Sequence, residues 1–118
     1  MNEKISNPSE ILIGRELSAV EFIRDYVQFH FDGPRVVAIT NPIISVGTVI
    51  YKWGQPGYRD ALCDCITAKV QSASISEGEK FYLEFEQKVC ITISLKPEDY
   101  VGAEAVILYG DTTEWWIW

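Results

Sequence analysis

The 118-residue chain carries 17 acidic residues against 10 basic ones, a net charge of −7, so its surface repels phosphate backbones and argues against nucleic-acid binding. No apolar run approaches the ~20 residues of a membrane span, and Met1-Asn2-Glu3-Lys4 lacks the basic and apolar blocks of a secretory leader. Three cysteines, an odd number, argue against a disulfide framework and for a reducing compartment, so a cytoplasmic location is expected.

The length suits one domain, residues 1–118, with a single modest core. Residues 1–8 are polar and expected to fray. Pro8-Ser9-Glu10 followed by Ile11-Leu12-Ile13-Gly14 predicts one helical turn closed by glycine. Strands are expected at 16–23, 26–32 and 35–40. In the first pair, Val20 and Phe22 alternate with Glu21, while Val27, Phe29 and Phe31 alternate with Gln28 and His30. A two-residue loop at Arg24-Asp25 puts Phe22 opposite Val27 and Val20 opposite Phe29, on one apolar face. That loop lacks the glycine or asparagine such turns favour. Asp32-Gly33-Pro34 is a stronger turn and completes a three-strand meander.

Asn41-Pro42 interrupts the pattern, and 43–56 is apolar but irregular, with a short strand expected at 48–52. Gln55-Pro56-Gly57 precedes the best helix candidate, 58–66, whose Tyr58, Leu62 and Cys65 share a face. Strands resume at 68–76, 80–86 and 89–95. Lys96-Pro97-Glu98-Asp99-Tyr100 reads as a turn, 105–109 as a strand, and Gly110-Asp111 turns the chain toward 114–118.

These elements predict an α+β fold, mainly antiparallel β: one sheet of six or seven strands, or a half-open barrel, with one short helix on a face. An internal duplication is suggested at an offset of 53, which aligns Leu12 with Cys65, Leu17 with Val70 and Phe22 with Ile75. One inserted residue then aligns Phe29 with Leu83 and Phe31 with Phe85. The two units, about 9–42 and 57–97, would each be a helical turn followed by a three-strand meander.

Reactive side chains are few. His30 is the only histidine, which excludes a His-rich metal site by count. Cys63 and Cys65 are two apart on the predicted helix and point to different sides, unlike zinc-binding pairs, so no metal and no cofactor is expected. The acidic residues are too numerous for a chance pair to mean catalysis, and no catalytic residue is assigned. The aromatic group carries more information. In Trp115-Trp116-Ile117-Trp118, alternation places Trp116 and Trp118 on one face and Trp115 with Ile117 on the other, which then needs a cover: the 43–53 segment, a second copy or a partner. Candidate binding residues are therefore Trp53, Tyr58, Arg59, Trp115 and Trp118.

Three stretches carry a resemblance: Leu12-Ile13-Gly14 with Phe22-Ile23-Arg24-Asp25-Tyr26-Val27-Gln28, then Pro56-Gly57-Tyr58-Arg59-Asp60-Ala61-Leu62-Cys63, then Leu95-Lys96-Pro97-Glu98-Asp99-Tyr100. Over about 12–108 the chain resembles a group of small bacterial proteins to which no function is assigned, so the resemblance implies a bacterial origin and no catalytic residues. In size and charge alone it is similar to immunity proteins that neutralise toxins. The expected function is a noncatalytic bacterial interaction domain acting through an acidic, aromatic-rich surface. The alternatives are a homo-oligomeric structural domain, such as a homodimer, and a small-molecule-binding protein or enzyme with a pocket near Tyr58, Arg59 and His30.

Overall fold

In the computed structural model, which describes residues 7–118, the first hairpin joins β1 (Ala19–Ile23) to β2 (Tyr26–His30). Its register is the one the apolar spacing predicts: Val20 lies opposite Phe29 and Phe22 opposite Val27. The Arg24-Asp25 loop carries its cost in the backbone, with Arg24 at φ +50°, a region that crowds a Cβ. Replacing Arg24 by glycine should therefore stabilise the fold by about 1 kcal/mol. The check is the urea midpoint; a lower midpoint for R24G than for wild type would contradict it.

The remaining strands are β3 (Arg35–Ala38), β4 (Ile43–Val46), β5 (Val49–Tyr51), β6 (Val70–Ser76), β7 (Lys80–Phe85), β8 (Val89–Ser94), β9 (Val106–Tyr109) and β10 (Trp115–Ile117), with one α-helix, α1 (Tyr58–Cys63). The Pro8–Leu12 turn is 3₁₀. The expectation of fraying applies to residues 1–6 outside the described part of the chain, while Pro8 already begins that turn.

The fold is mainly antiparallel β with one short helix, but the strands form two five-stranded sheets rather than one sheet of six or seven. The first has the order β1-β2-β3-β9-β10, the second β5-β4-β8-β7-β6. Two features account for the difference. Segment 43–56 hides a complete hairpin, in which Gly47 and Thr48 turn β4 back into β5. The strand pair after each meander then leaves it: β4 pairs with β8, and β9 pairs with β3. Each sheet is thus a meander from one half extended by two strands from the other.

The halves are stitched where Glu16 bridges Lys69, and the backbone there repeats at an offset of 53 (16 to 69). Gly14 N–H donates to Val70 C=O at 2.8 Å, and Thr67 N–H donates to Leu17 C=O at 2.8 Å. Leu17 N–H to Ala68 C=O and Val70 N–H to Arg15 C=O are both 3.0 Å. Both turns need a left-handed residue: Gly14 sits at φ +85° and Thr67 at +83°. Glycine tolerates this and the β-branched Thr67 is strained by it. The two members of each pair exchange when 14, 15 and 17 are swapped with 67, 68 and 70.

One core lies between the sheets. Phe29, Val36 and Leu108 from the first sheet, with Phe31 just after β2, join Ile44, Phe81, Leu83, Phe85 and Ile91 from the second in one buried cluster. The helix closes it with Tyr58 and Leu62. Too short to be stable alone, α1 is held by this burial and by the Tyr58 hydroxyl, which donates to the Pro42 carbonyl at 2.6 Å.

Candidate functional site: the outer face of the first sheet

Strand alternation sends every second residue of each sheet away from the core. In the first sheet, Phe29, Val36 and Leu108 are buried inward. Two cross-strand rows therefore face outward. One runs Ala19, His30, Arg35, Tyr109, Trp115; the next runs Glu21, Gln28, Val37, Ile107, Ile117. Ile23 and Tyr26 add a third pair at one end. Trp115 remains 56% exposed and Ile117 44%. The 43–53 segment does not cover them, because it belongs to the second sheet.

The second sheet supplies an internal control. Its outward rows are Ile50, Ser45, Cys90, Glu84, Ser72, then Ile43, Thr92, Tyr82, Ser74, then Ser94, Lys80, Ser76. Here the same architecture facing water is mostly serine, threonine and charged residues, with Tyr82 and Cys90 among them and Ile43 and Ile50 on β4 and β5 at one side. The first sheet places aromatic and branched aliphatic side chains in that position.

The polar groups of the first face are arranged around this apolar field. His30 Nε2 lies 2.9 Å from Glu21 Oε1 at the β1–β2 side. The Arg35 guanidinium stacks 4.1 Å from the centre of the Tyr109 ring, and its buried Nε has no hydrogen-bond partner. An arginine laid flat on a tyrosine presents a rigid surface with its charge delocalised. Rigid aromatic area bordered by a few polar groups is the make-up of a protein-binding surface.

The five residues singled out from the sequence do not form one site. Trp115 lies on the outer face. Trp118 is half-buried on the opposite side of β10's alternation, edge-on to Phe81 at 5.6 Å, with its indole N–H donating to Glu77 Oε2 at 3.3 Å. Trp53 packs edge-on to Tyr58 at 5.9 Å. Tyr58 itself is buried, and desolvation pushes its phenol well above the usual tyrosine range. Arg59 is exposed, its guanidinium 5.5 Å from the Phe22 ring. Trp53, Tyr58 and Arg59 do line one cleft of about 380 Å³ beside Asp60, without His30. Sequence reasoning missed Arg35, Val37, Ile107 and Tyr109, which reach Trp115 only through the β3–β9 pairing.

A second cavity, about 580 Å³, lies between α1 and the second sheet and is lined by Tyr51, Asp60, Asp64, Cys65 and Glu86 among others. Burial, reinforced by Asp64 and Cys63, pushes the Cys65 thiol up to about 11, which keeps it protonated and unreactive at neutral pH. Cys63 is exposed and Cys90 half-buried. Among the described residues no three His, Cys, Asp or Glu side chains gather as metal ligands.

No family model matches the chain, and neither the curated proteins nor the solved structures give a significant match. What fold and surface define is a class: an antiparallel β protein of two interlocked sheets with one apolar outer face. No helix is long and apolar enough to cross a membrane among the described residues.

Proposed function

We propose that the chain is a noncatalytic protein-interaction domain that binds through the outer face of its first sheet. The observation that carries this reading is the contrast between the two outward faces, one mostly serine, threonine and charged residues with Ile43 and Ile50 at one side, the other centred on the exposed Trp115 and Ile117 beside the half-buried Tyr109 and Ile107. An apolar face left open on a stable domain marks a contact surface. The net charge of −7 favours a cationic partner by speeding encounter. The narrower form, supported by size and charge alone, is an immunity-type protein of the bacterial cytoplasm that neutralises a basic toxin.

Affinity capture from the source cell tests it with substitutions on both faces. Wild type and the second-sheet variant Tyr82→Ser should recover the same partner, while Tyr109→Ser and Trp115→Ser should recover less than about a tenth of it, as for central aromatic contacts. Equal recovery by all four proteins would remove the outer face from consideration.

A further inference from the structure

The two sheets follow one plan when each is read from its meander: β1-β2-β3-β9-β10 and β6-β7-β8-β4-β5. The β2–β3 turn thus corresponds to the β7–β8 turn, and the β9–β10 turn to the β4–β5 turn. Residues 15 and 68 correspond as well, because Arg15 C=O accepts from Val70 N–H where Ala68 C=O accepts from Leu17 N–H, both at 3.0 Å. The side chains at these places differ. Arg15 reaches Asp111 in the β9–β10 turn, Nη2 to Oδ2 at 2.5 Å. The pair lies against the β2–β3 turn, where a Cβ on Gly33 would strike the Asp111 carboxylate. The matching places in the other half are Ala68, Val46 at the β4–β5 turn, and Glu86 with Gln87 at the β7–β8 turn. All four line the cavity of about 580 Å³ beside α1.

We propose that this cavity binds a guanidinium group, taking from a ligand what Arg15 supplies in the other half. Its volume falls within the range of small-ligand pockets, about 300–1,000 Å³. Its charged lining is of one sign, Asp60, Asp64 and Glu86, with no lysine, arginine or histidine. Asp60 and Asp64 stand one turn apart on α1, where Asp64 N–H donates to Asp60 C=O at 2.8 Å, a spacing that sets like charges side by side. Among the described residues, none of the three carboxylates pairs with a basic side chain. Carboxylates alone attract any cation; two further features select the guanidinium. Arg15 already holds that group at the corresponding backbone position, and Tyr51 adds an aromatic ring to the cavity wall. A guanidinium forks onto carboxylates and stacks on rings, whereas an ammonium acts as a point charge. None of the lining residues belongs to the first sheet, so the site is independent of the outer face. The group is carried alike by free arginine and by an arginine residue of a protein.

Titration of the full chain with L-arginine, followed by amide chemical shifts, tests the proposal, with L-lysine as the control for charge. L-Arginine should bind with a dissociation constant of about 1 mM or below and shift the amides of Asp64, Ala68, Glu86 and Gln87. L-Lysine should bind about tenfold more weakly. Ala68→Arg supplies the group internally and should abolish binding, while Asp64→Asn with Glu86→Gln should weaken it by about tenfold. Arg15→Ala should gain a second arginine site, seen as new shifts at Gly33 and Asp111. Acetyl-Gly-Arg-Gly-amide separates the two sources. Binding as tight as that of L-arginine assigns the site to an arginine side chain of a protein, and binding lost on capping assigns it to the free amino acid. Equal affinity for lysine and arginine, shifts spread over acidic residues outside the cavity, or undiminished binding by a folded Ala68→Arg overturns the proposal. If Ala68→Arg does not fold, undiminished binding by the Asp64→Asn, Glu86→Gln double variant does so in its place.

Discussion

Phe29→Ala should destabilise the chain by about 3–5 kcal/mol, the cost of emptying a fully packed aromatic site. Phe29 has no exposed surface and lies between Val20 and Val36 in the middle of the first sheet. Its partner under the internal alignment, Leu83, is equally inaccessible in the second sheet, and Leu83→Ala should cost about 2–5 kcal/mol. Domains of this size hold only about 5–15 kcal/mol, so the double variant should not fold. A second expectation separates this structure from two independent halves. Because strands are exchanged between meanders and one buried cluster spans both sheets, Phe29→Ala should lower the protection of β6–β8 amides as much as that of β1–β3. Urea titration followed by tryptophan fluorescence, with amide exchange on the same samples, is the measurement. A variant that melts the first sheet while the second keeps wild-type protection would show that the halves do not share a core.

The strand exchange explains why some of this was legible in the sequence and some was not. The β1–β2 register was readable because turn length and apolar alternation had to agree, and one slip would have exposed Phe29. Leu17 and Val70, aligned by the offset of 53, are both buried, and the hydrogen bonds at the Glu16–Lys69 bridge pair residues related by that spacing. The β4–β5 hairpin was hidden because Ile43 and Ile44 break alternation, so 43–46 reads as irregular although it pairs with β8. Which meander β9 would join could not be read locally, since 95–105 lacks any residue that specifies its destination. The outer face suffered most from this. Alternation in the final strand separated Trp115 and Ile117 from Trp116 and Trp118 correctly, yet Arg35, Val37, Ile107 and Tyr109 become their neighbours only through long-range pairing. Trp53, Tyr58 and Arg59 drew attention by composition, and Tyr58 is occupied in holding α1 to Pro42.

Alkaline pH should unfold this protein earlier than its neutral stability implies, and Cys65 is the group responsible. Its thiol is 3% exposed, and burial, with Asp64 and Cys63 adding to it, raises the folded value from 9.0 to about 11. Between these two values the unfolded chain loses the proton and the folded chain keeps it, so the unfolded state binds fewer protons and stability falls as pH rises. The contribution is fully present below pH 9 and is lost by about pH 11, an order of 2–3 kcal/mol from this one thiol. Tyr58, raised above its usual 10 by burial, acts in the same direction from pH 10 upward. Urea midpoints at pH 8, 9, 10 and 11 should decline steeply for wild type. Cys65→Ala should start lower at pH 8, having lost packed volume, and decline less between pH 9 and 11. Tyr58→Phe should lose about 1–3 kcal/mol at neutral pH, because the buried Pro42 carbonyl is left without its donor, and should flatten the curve only above pH 10. Parallel declines for wild type and Cys65→Ala would mean that the thiol reaches water before the sheets separate, and that the packing of α1 over the core opens below the global transition.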